Sequence, residues 1–287
     1  MFGFYFRGDS NHLILGDDHP VLAQRWKGRL LINEVPADGY AEGYADPYRL
    51  RRLGYGYCTV TYPEPIRTTL PPFVFGVPTG ACDNKGLGLF CHRGGPGNWV
   101  GFSVMITCSL FAEGGQATMG FDSGWEYRVC VFGNPGTLRP GATNFGLRLW
   151  GPDGQQTFDS NWAFVPFRGL LGRWERQSYT RHYDFEAYFG NPESGGDVDN
   201  VLVKGTHDWG ALDGTLGVLI SSLGVIPLRH DVGNRNITTP GIVTIGFSLG
   251  MRDKIWSVAY EGRSQHPAGD VSAMDGWRLL TADFTYV

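Results

Sequence analysis

Apolar and polar residues alternate along most of the chain, and the 3.6-residue period of an amphipathic helix is nearly absent. A period of two puts successive side chains on opposite faces of an extended strand. The alternating runs are short, and Gly, Pro, Asn or Asp closes most of them. These residues supply the positive φ, the fixed φ or the side-chain bond that a tight turn requires. Gly 43 and Pro 17 together fill about one position in five of 287. Lys and Glu, the straight-chain residues that coat solvated helices, number only 4 and 9 against Arg 20 and Asp 19. Long exposed helices, bundles and coiled coils are thereby excluded. The reading is all-β.

Strands are expected at Tyr55 to Tyr62, Phe73 to Val77, Leu87 to His92, Trp99 to Ala112 and Trp125 to Gly133. Further strands follow at Trp162 to Phe167, Tyr179 to Phe189, Leu216 to Leu223, Gly241 to Leu249, Lys254 to Tyr260 and Trp277 to Val287. Val21 to Asn33 is another, with Gly28 as its expected bulge. In Trp99 to Ala112, Phe102, Val104, Ile106 and Cys108 share one face while Ser103, Thr107 and Ser109 take the other, as on a half-buried antiparallel strand. Short strands with frequent turns point to an antiparallel β-sandwich over residues 1–170, with a second β-rich unit over 171–287.

Two hairpins stand out. Phe2-Gly3-Phe4-Tyr5-Phe6 turns through Gly8-Asp9-Ser10-Asn11 into His12-Leu13-Ile14-Leu15. Phe145 to Trp150 turns through Gly151-Pro152-Asp153-Gly154 into Gln155 to Ser160, with Leu147, Leu149 and Phe158 expected to face one core. Setting Gly3 against Gly146 pairs Phe4 with Leu147, Phe6 with Leu149, Gly8 with Gly151 and Leu15 with Phe158. The hairpins read as copies.

Net charge −4 and a pI near 6.0 give no general attraction to nucleic acid or to acidic membranes. The apolar stretches Val100 to Ala112 and Leu216 to Ile226 are too short to span a bilayer as helices, so no membrane insertion is expected. Met1 to Arg7 lacks the basic start of an export signal. Cys58, Cys82, Cys91, Cys108 and Cys130 make an odd set that reads as reduced thiols.

The phrase Phe145-Gly146-Leu147-Arg148-Leu149-Trp150, continued to Phe158-Asp159-Ser160, resembles a segment of small tail-associated proteins of long-tailed bacteriophages. Their pattern runs aromatic-Gly-Leu-x-hydrophobic, then Gly, then Phe-Asp-Ser. An opening hairpin like Gly3 to Leu15 and a run like Val21 to Ile32 also match that layout; the long segment Glu34 to Arg52 departs from it. The resemblance implies a non-enzymatic structural protein of the virion, synthesised in the host cytoplasm. It would form a homo-oligomer at the distal tail, against hub or fibre proteins. A surface rich in Arg, Tyr and Trp is also the make-up of protein interfaces.

Arg7-Gly8-Asp9 spells an integrin motif, but a hairpin turn needs the same Gly and Asp. Cys82, Cys91 and His92 open a zinc pattern that no second pair completes. Asp184 and Glu186, two apart among aromatics, have the chemistry of a glycoside hydrolase pair, though an outward strand face explains them too. Asp197, Asp199 and Asn200 read as a solvated loop without the terminal Glu of a calcium loop. His207-Asp208 and His230-Asp231 read as loop pairs. No nucleotide motif is present, and no cofactor is expected. Tyr40, Tyr44, Tyr48, Tyr55 and Tyr57, with Trp174, Trp209 and Trp256, are candidate interface aromatics. They also fit a receptor- or glycan-binding module, the alternative reading.

Overall fold

The computed structural model describes residues 5–7, 13–16, 20–35, 55–79, 82, 85–108, 117–132, 138–139, 141–143, 145–154, 156–171, 174–182, 197–205, 216–232, 235–247, 255–261 and 279–285. Among these, regular structure is β apart from one 3-10 turn at Ile220–Ser222.

Two short hairpins stand apart from the main sheets: β1 (Tyr5–Arg7) with β2 (Leu13–Gly16), and β9 (Arg148–Trp150) with β10 (Gln156–Asp159). A six-stranded antiparallel sheet contains β3 (Leu22–Leu31), β5 (Phe73–Pro78), β8 (Asp122–Phe132), β11 (Phe167–Leu171), β14 (Leu216–Leu219) and β18 (Leu279–Asp283). Its order is β11-β18-β14-β5-β8-β3.

The larger sheet contains β4 (Tyr55–Ile66), β6 (Gly86–Gly95), β7 (Asn98–Thr107), β12 (Trp174–His182), β13 (Asp197–Gly205), β15 (Val225–Val232), β16 (Arg235–Phe247) and β17 (Ile255–Glu261). Its order is β12-β13-β17-β16-β6-β7-β4, with β15 also pairing β16.

The sheets pack face to face as a sandwich. Leu30, Val74, Trp125 and Val129 from the smaller sheet meet Tyr62, Leu87, Phe102, Val104 and Ile106 from the larger. Phe102 lies at the centre of a ring cluster, stacked on Phe90 at 5.2 Å and edge-on to Tyr127 at 5.4 Å. Burying a ring of this size removes on the order of 150–250 Å² from water, so such contacts dominate the core.

The smaller sheet does not end in two open edges. Gln24 N–H donates to Ala163 O and Val165 N–H donates to Leu22 O, so the chain leading into β11 pairs with β3. The chain just ahead of β11 thereby bridges the start of β3, curling the sheet into a barrel closed at that end and covering the backbone of residues 22–24. Its interior holds Leu22, Phe75, Val77, Cys130, Val165, Ala282 and Phe284. The alternation along β5 explains the division: Phe75 and Val77 face the barrel, while Val74 faces the larger sheet.

Several expectations change in detail. Both sheets draw strands from before and after residue 170, so a sheet boundary does not fall there. The irregularities of β3 lie between Gln24 and Trp26 and between Arg29 and Leu31, not at Gly28. Gly28 serves a close approach instead: a Cβ there would stand 2.8 Å from the Tyr127 ring. In β7, Met105 and Thr107 are buried along with Val104 and Ile106, because Tyr55, Tyr57 and Leu89 cover the second face around Met105. Asp197, Asp199 and Asn200 lie in β13 opposite His182, Thr180 and Tyr179, and His230 and Asp231 lie in β15; neither group is in a loop. None of the five cysteines is joined in a disulfide.

Candidate interaction surface

The β9–β10 hairpin and its flanks are built by a dense set of short-range bonds. The turn closes through Gly154 N–H to Gly151 O at 2.9 Å, and Gly154 takes φ of +76°, which its lack of a Cβ permits. Asp159 then ties the base of the hairpin together. One of its carboxylate oxygens accepts from Arg148 Nε at 2.8 Å and Gln156 Nε2 at 3.2 Å; the other accepts from Asn161 N–H at 2.9 Å.

The next two residues hold down the strand that leads into β9. Ser160 Oγ accepts from Leu147 N–H at 3.0 Å, and Ser160 N–H donates to Leu147 O at 2.9 Å. Asn161 Nδ2 donates to Phe145 O, while its Oδ1 accepts from Thr143 N–H. Gly146 sits between these contacts, where a Cβ would come within 2.3 Å of Ser160 Oγ. The spacing aromatic-Gly-Leu with Phe-Asp-Ser thus has a local physical cause. Asp and Ser supply the acceptors, and Gly leaves room for them.

This bracing leaves large apolar side chains in solvent. Phe145 is 87% exposed, and Leu147 and Trp150 stand about half exposed. Of Leu147 and Leu149, which alternation places in one core, only Leu149 is buried; Leu147 precedes β9 and is held by its backbone. Leu138, which bridges to Trp162, is also exposed, as are Phe167 and Leu170 of β11. Among the described residues, six of the eleven exposed large hydrophobic side chains fall within residues 138–170. Beneath them, Trp162, Ala163 and Val165 are buried and Phe158 stacks on Phe164 at 4.9 Å. The surface therefore stands on a packed base.

Two carboxylates brace this region, and both titrate below the ordinary carboxylate range. Burial alone would push Asp159 up, but the Asn161 N–H, Arg148 and Gln156 outweigh it. Asp283, which receives Arg168 Nε at 2.9 Å and the Thr285 backbone N–H, behaves in the same way. A depressed folded value means that the unfolded chain holds the proton more tightly. These groups therefore contribute stability above the ordinary carboxyl value of about 3.9, and lose it as pH falls through their lower folded values. Melting temperature measured from pH 6 downward should fall below about pH 4, and Asp159→Asn with Asp283→Asn should flatten that acid limb. An unchanged acid limb would show that other groups control it.

The other candidates fare differently. Tyr55 is buried and Tyr57 half-buried, edge-on at 6.0 Å, so they belong to a core rather than to a stacking platform. Trp174 and Trp256 lie in β12 and β17. Tyr40, Tyr44, Tyr48, Trp209, Asp184, Glu186, His207 and Asp208 lie outside the described residues, as does the Gly8-Asp9 turn. Cys82 is buried, Cys91 exposed and His92 edge-on between Phe90 and Trp99. Among the described residues no three His, Cys, Asp or Glu side chains gather as a metal site. Ser123 is buried in β8, where its hydroxyl donates to Leu30 O. Ser221 Oγ accepts from Val74 N–H.

Periodicity alone does not mark Phe145, Trp150 and Leu138 as exposed. The signal of that exposure is the Gly-Pro-Asp-Gly turn, which leaves a two-stranded arm too small to bury both of its faces.

Compared with known proteins, the chain matches no family model, no curated protein and no solved structure.

Proposed function

We propose that the chain is a non-enzymatic structural subunit of a bacteriophage virion. It sits in several copies at the distal tail and docks on hub or fibre proteins through the rim of the β9–β10 arm. The observation that carries this reading is the apolar group Leu138, Phe145, Leu147 and Trp150, exposed on a backbone pinned by Asp159, Ser160 and Asn161. Large apolar side chains held out in solvent are candidates for interaction sites, and aromatic side chains are enriched among interface anchors. The resemblance of residues 145–160 to tail-associated proteins and the preference for Arg over Lys support the same reading.

The test is co-sedimentation of the purified chain with tail-hub and fibre proteins. Phe145→Asp combined with Trp150→Asp should weaken binding at least about ten-fold, as for the loss of interface anchors. The circular dichroism spectrum should not change, because both side chains stand largely in solvent. A wild-type chain that stays monomeric and binds no tail component overturns the proposal. Polysaccharide hydrolysis abolished by Glu186→Gln would replace it with an enzymatic function.

A further inference from the structure

The two hairpins share one register. Adding 143 to each residue number of the first gives the second: Tyr5 opposite Gly16 becomes Arg148 opposite Asp159, and Phe6 opposite Leu15 becomes Leu149 opposite Phe158. Arg7 opposite Leu13 becomes Trp150 opposite Gln156, with the same irregularity one pair earlier.

The correspondence continues into the sheet. Gln24, Trp26, Lys27 and Gly28 of β3 lie opposite Cys130, Val129, Arg128 and Tyr127 of β8, with a register shift between Gln24 and Trp26. Phe167, Gly169, Leu170 and Leu171 of β11 lie opposite Ala282, Thr281, Leu280 and Leu279 of β18, with the shift in the same place. The edge strands keep the offset of 143, and the partner strands are offset by 152 throughout. The second offset also aligns Gly124-Trp125 with Gly276-Trp277 and Phe132 with Phe284.

Strand order repeats the relation about a central two-fold axis. The smaller sheet reads β3-β8-β5 outward-to-centre from one side and β11-β18-β14 from the other. In the larger sheet, β4-β7-β6 mirrors β13-β17-β16 in the same sense, with β12 added beyond β13 and β15 added against β16. At the centre, equivalent strands meet each other: Phe75 of β5 lies opposite Leu219 of β14, and Leu87 of β6 lies opposite Ile245 of β16. The barrel closes the same way, because Leu22 and Val165, 143 apart, share a hydrogen bond across the axis.

From this we infer that the chain is two copies of one β unit fused in tandem. The surfaces β5·β14 and β6·β16 are the self-association face of that unit, occupied by its own duplicate. The partner this face fits is therefore a second copy of the unit itself. One chain presents two equivalent hairpin arms, whichever molecule they dock on.

Equivalence makes a sharp demand on side chains. Gly28 lies opposite Tyr127 in the first half, and the corresponding pair in the second is Leu171 opposite Leu279. One pair is small with large; the other is medium with medium. Transplanting the second solution into the first half of the full-length chain should work. Gly28→Leu alone should lower the melting temperature by more than roughly 5 °C, because its side chain meets the Tyr127 ring. Adding Tyr127→Leu should restore most of that loss. Exchange across the axis, Phe75→Leu with Leu219→Phe, should leave the melting temperature within roughly 5 °C of the parent. It should also leave the sedimentation coefficient unchanged. If the Gly28→Leu, Tyr127→Leu chain is no more stable than Gly28→Leu alone, or the axial exchange yields insoluble or molten protein, the duplication is refuted.

Discussion

Trp125→Ala is expected to destabilise the fold by about 3–5 kcal/mol, the usual cost of emptying a large aromatic site. Trp125 is 1% exposed and lies in the layer where the two sheets meet. Removing it would empty the space over Gly76 that Leu87 and Ile220 also line, and leave a cavity that two stiff sheets cannot collapse to fill. Total stability of a domain is about 5–15 kcal/mol, so this one substitution would consume a large part of it. Among the described residues the indole N–H has no hydrogen-bond partner. Trp125→Phe should therefore be much milder, since it keeps most of the packing and removes an unpaired donor. Urea titration distinguishes the two: the Ala variant should show a strongly lowered midpoint with unchanged slope, and the Phe variant a small shift. Equal midpoints would mean that the site is filled by rearrangement.

Gly101→Ala should have a comparable effect, about 3 kcal/mol or more, through overpacking rather than loss. A Cβ at Gly101 would stand 2.0 Å from Val60 O and 3.2 Å from the Thr61 Cα. Both are backbone atoms of β4, paired with β7 at that level, and no rotamer change relieves the contact. The strands must part just before the irregularity between Thr61 and Ile66. The local signature is loss of amide-exchange protection around Val60 and Gly101 ahead of the rest of the larger sheet. Gly97 is the contrast: open space surrounds it and its φ is +76°, so strain there comes only from the backbone. An Ala at position 101 that leaves exchange unchanged would show that the strands accommodate a methyl group.

The strand content was legible because alternation and turn chemistry are local. Phe73 to Val77 and Trp125 to Gly133 coincide closely with β5 and β8, and the turn at Gly151 to Gly154 forms as its residues require. Errors arose where burial depends on distant segments. Thr107 reads as an outward position, yet it is buried, on the face where Tyr55 of another strand covers Met105. Gly28 reads as a bulge because nothing local announces the Tyr127 ring. The barrel closure through Leu22 and Val165 joins residues too far apart in sequence for periodicity to report. The rim at Phe145 and Trp150 was hidden for another reason. Alternation identifies which side chains share a face, but not whether that face finds a cover.

One corner of the barrel carries a consequence for how such a chain can change. Arg128 lies along the barrel wall with Glu126 at 2.8 Å and Gln24 at 3.3 Å, and burial pulls its guanidinium below the ordinary range. By the same offsets the positions corresponding to Arg128 and Gln24 are the apolar Leu280 and Phe167, while Glu126 corresponds to Arg278. In a dimer of separate identical chains every substitution is made twice, so a polar end and an apolar end cannot coexist. Covalent linkage releases that constraint. Each end can then drift, acquire a ligand or lose one while the opposite end preserves the architecture.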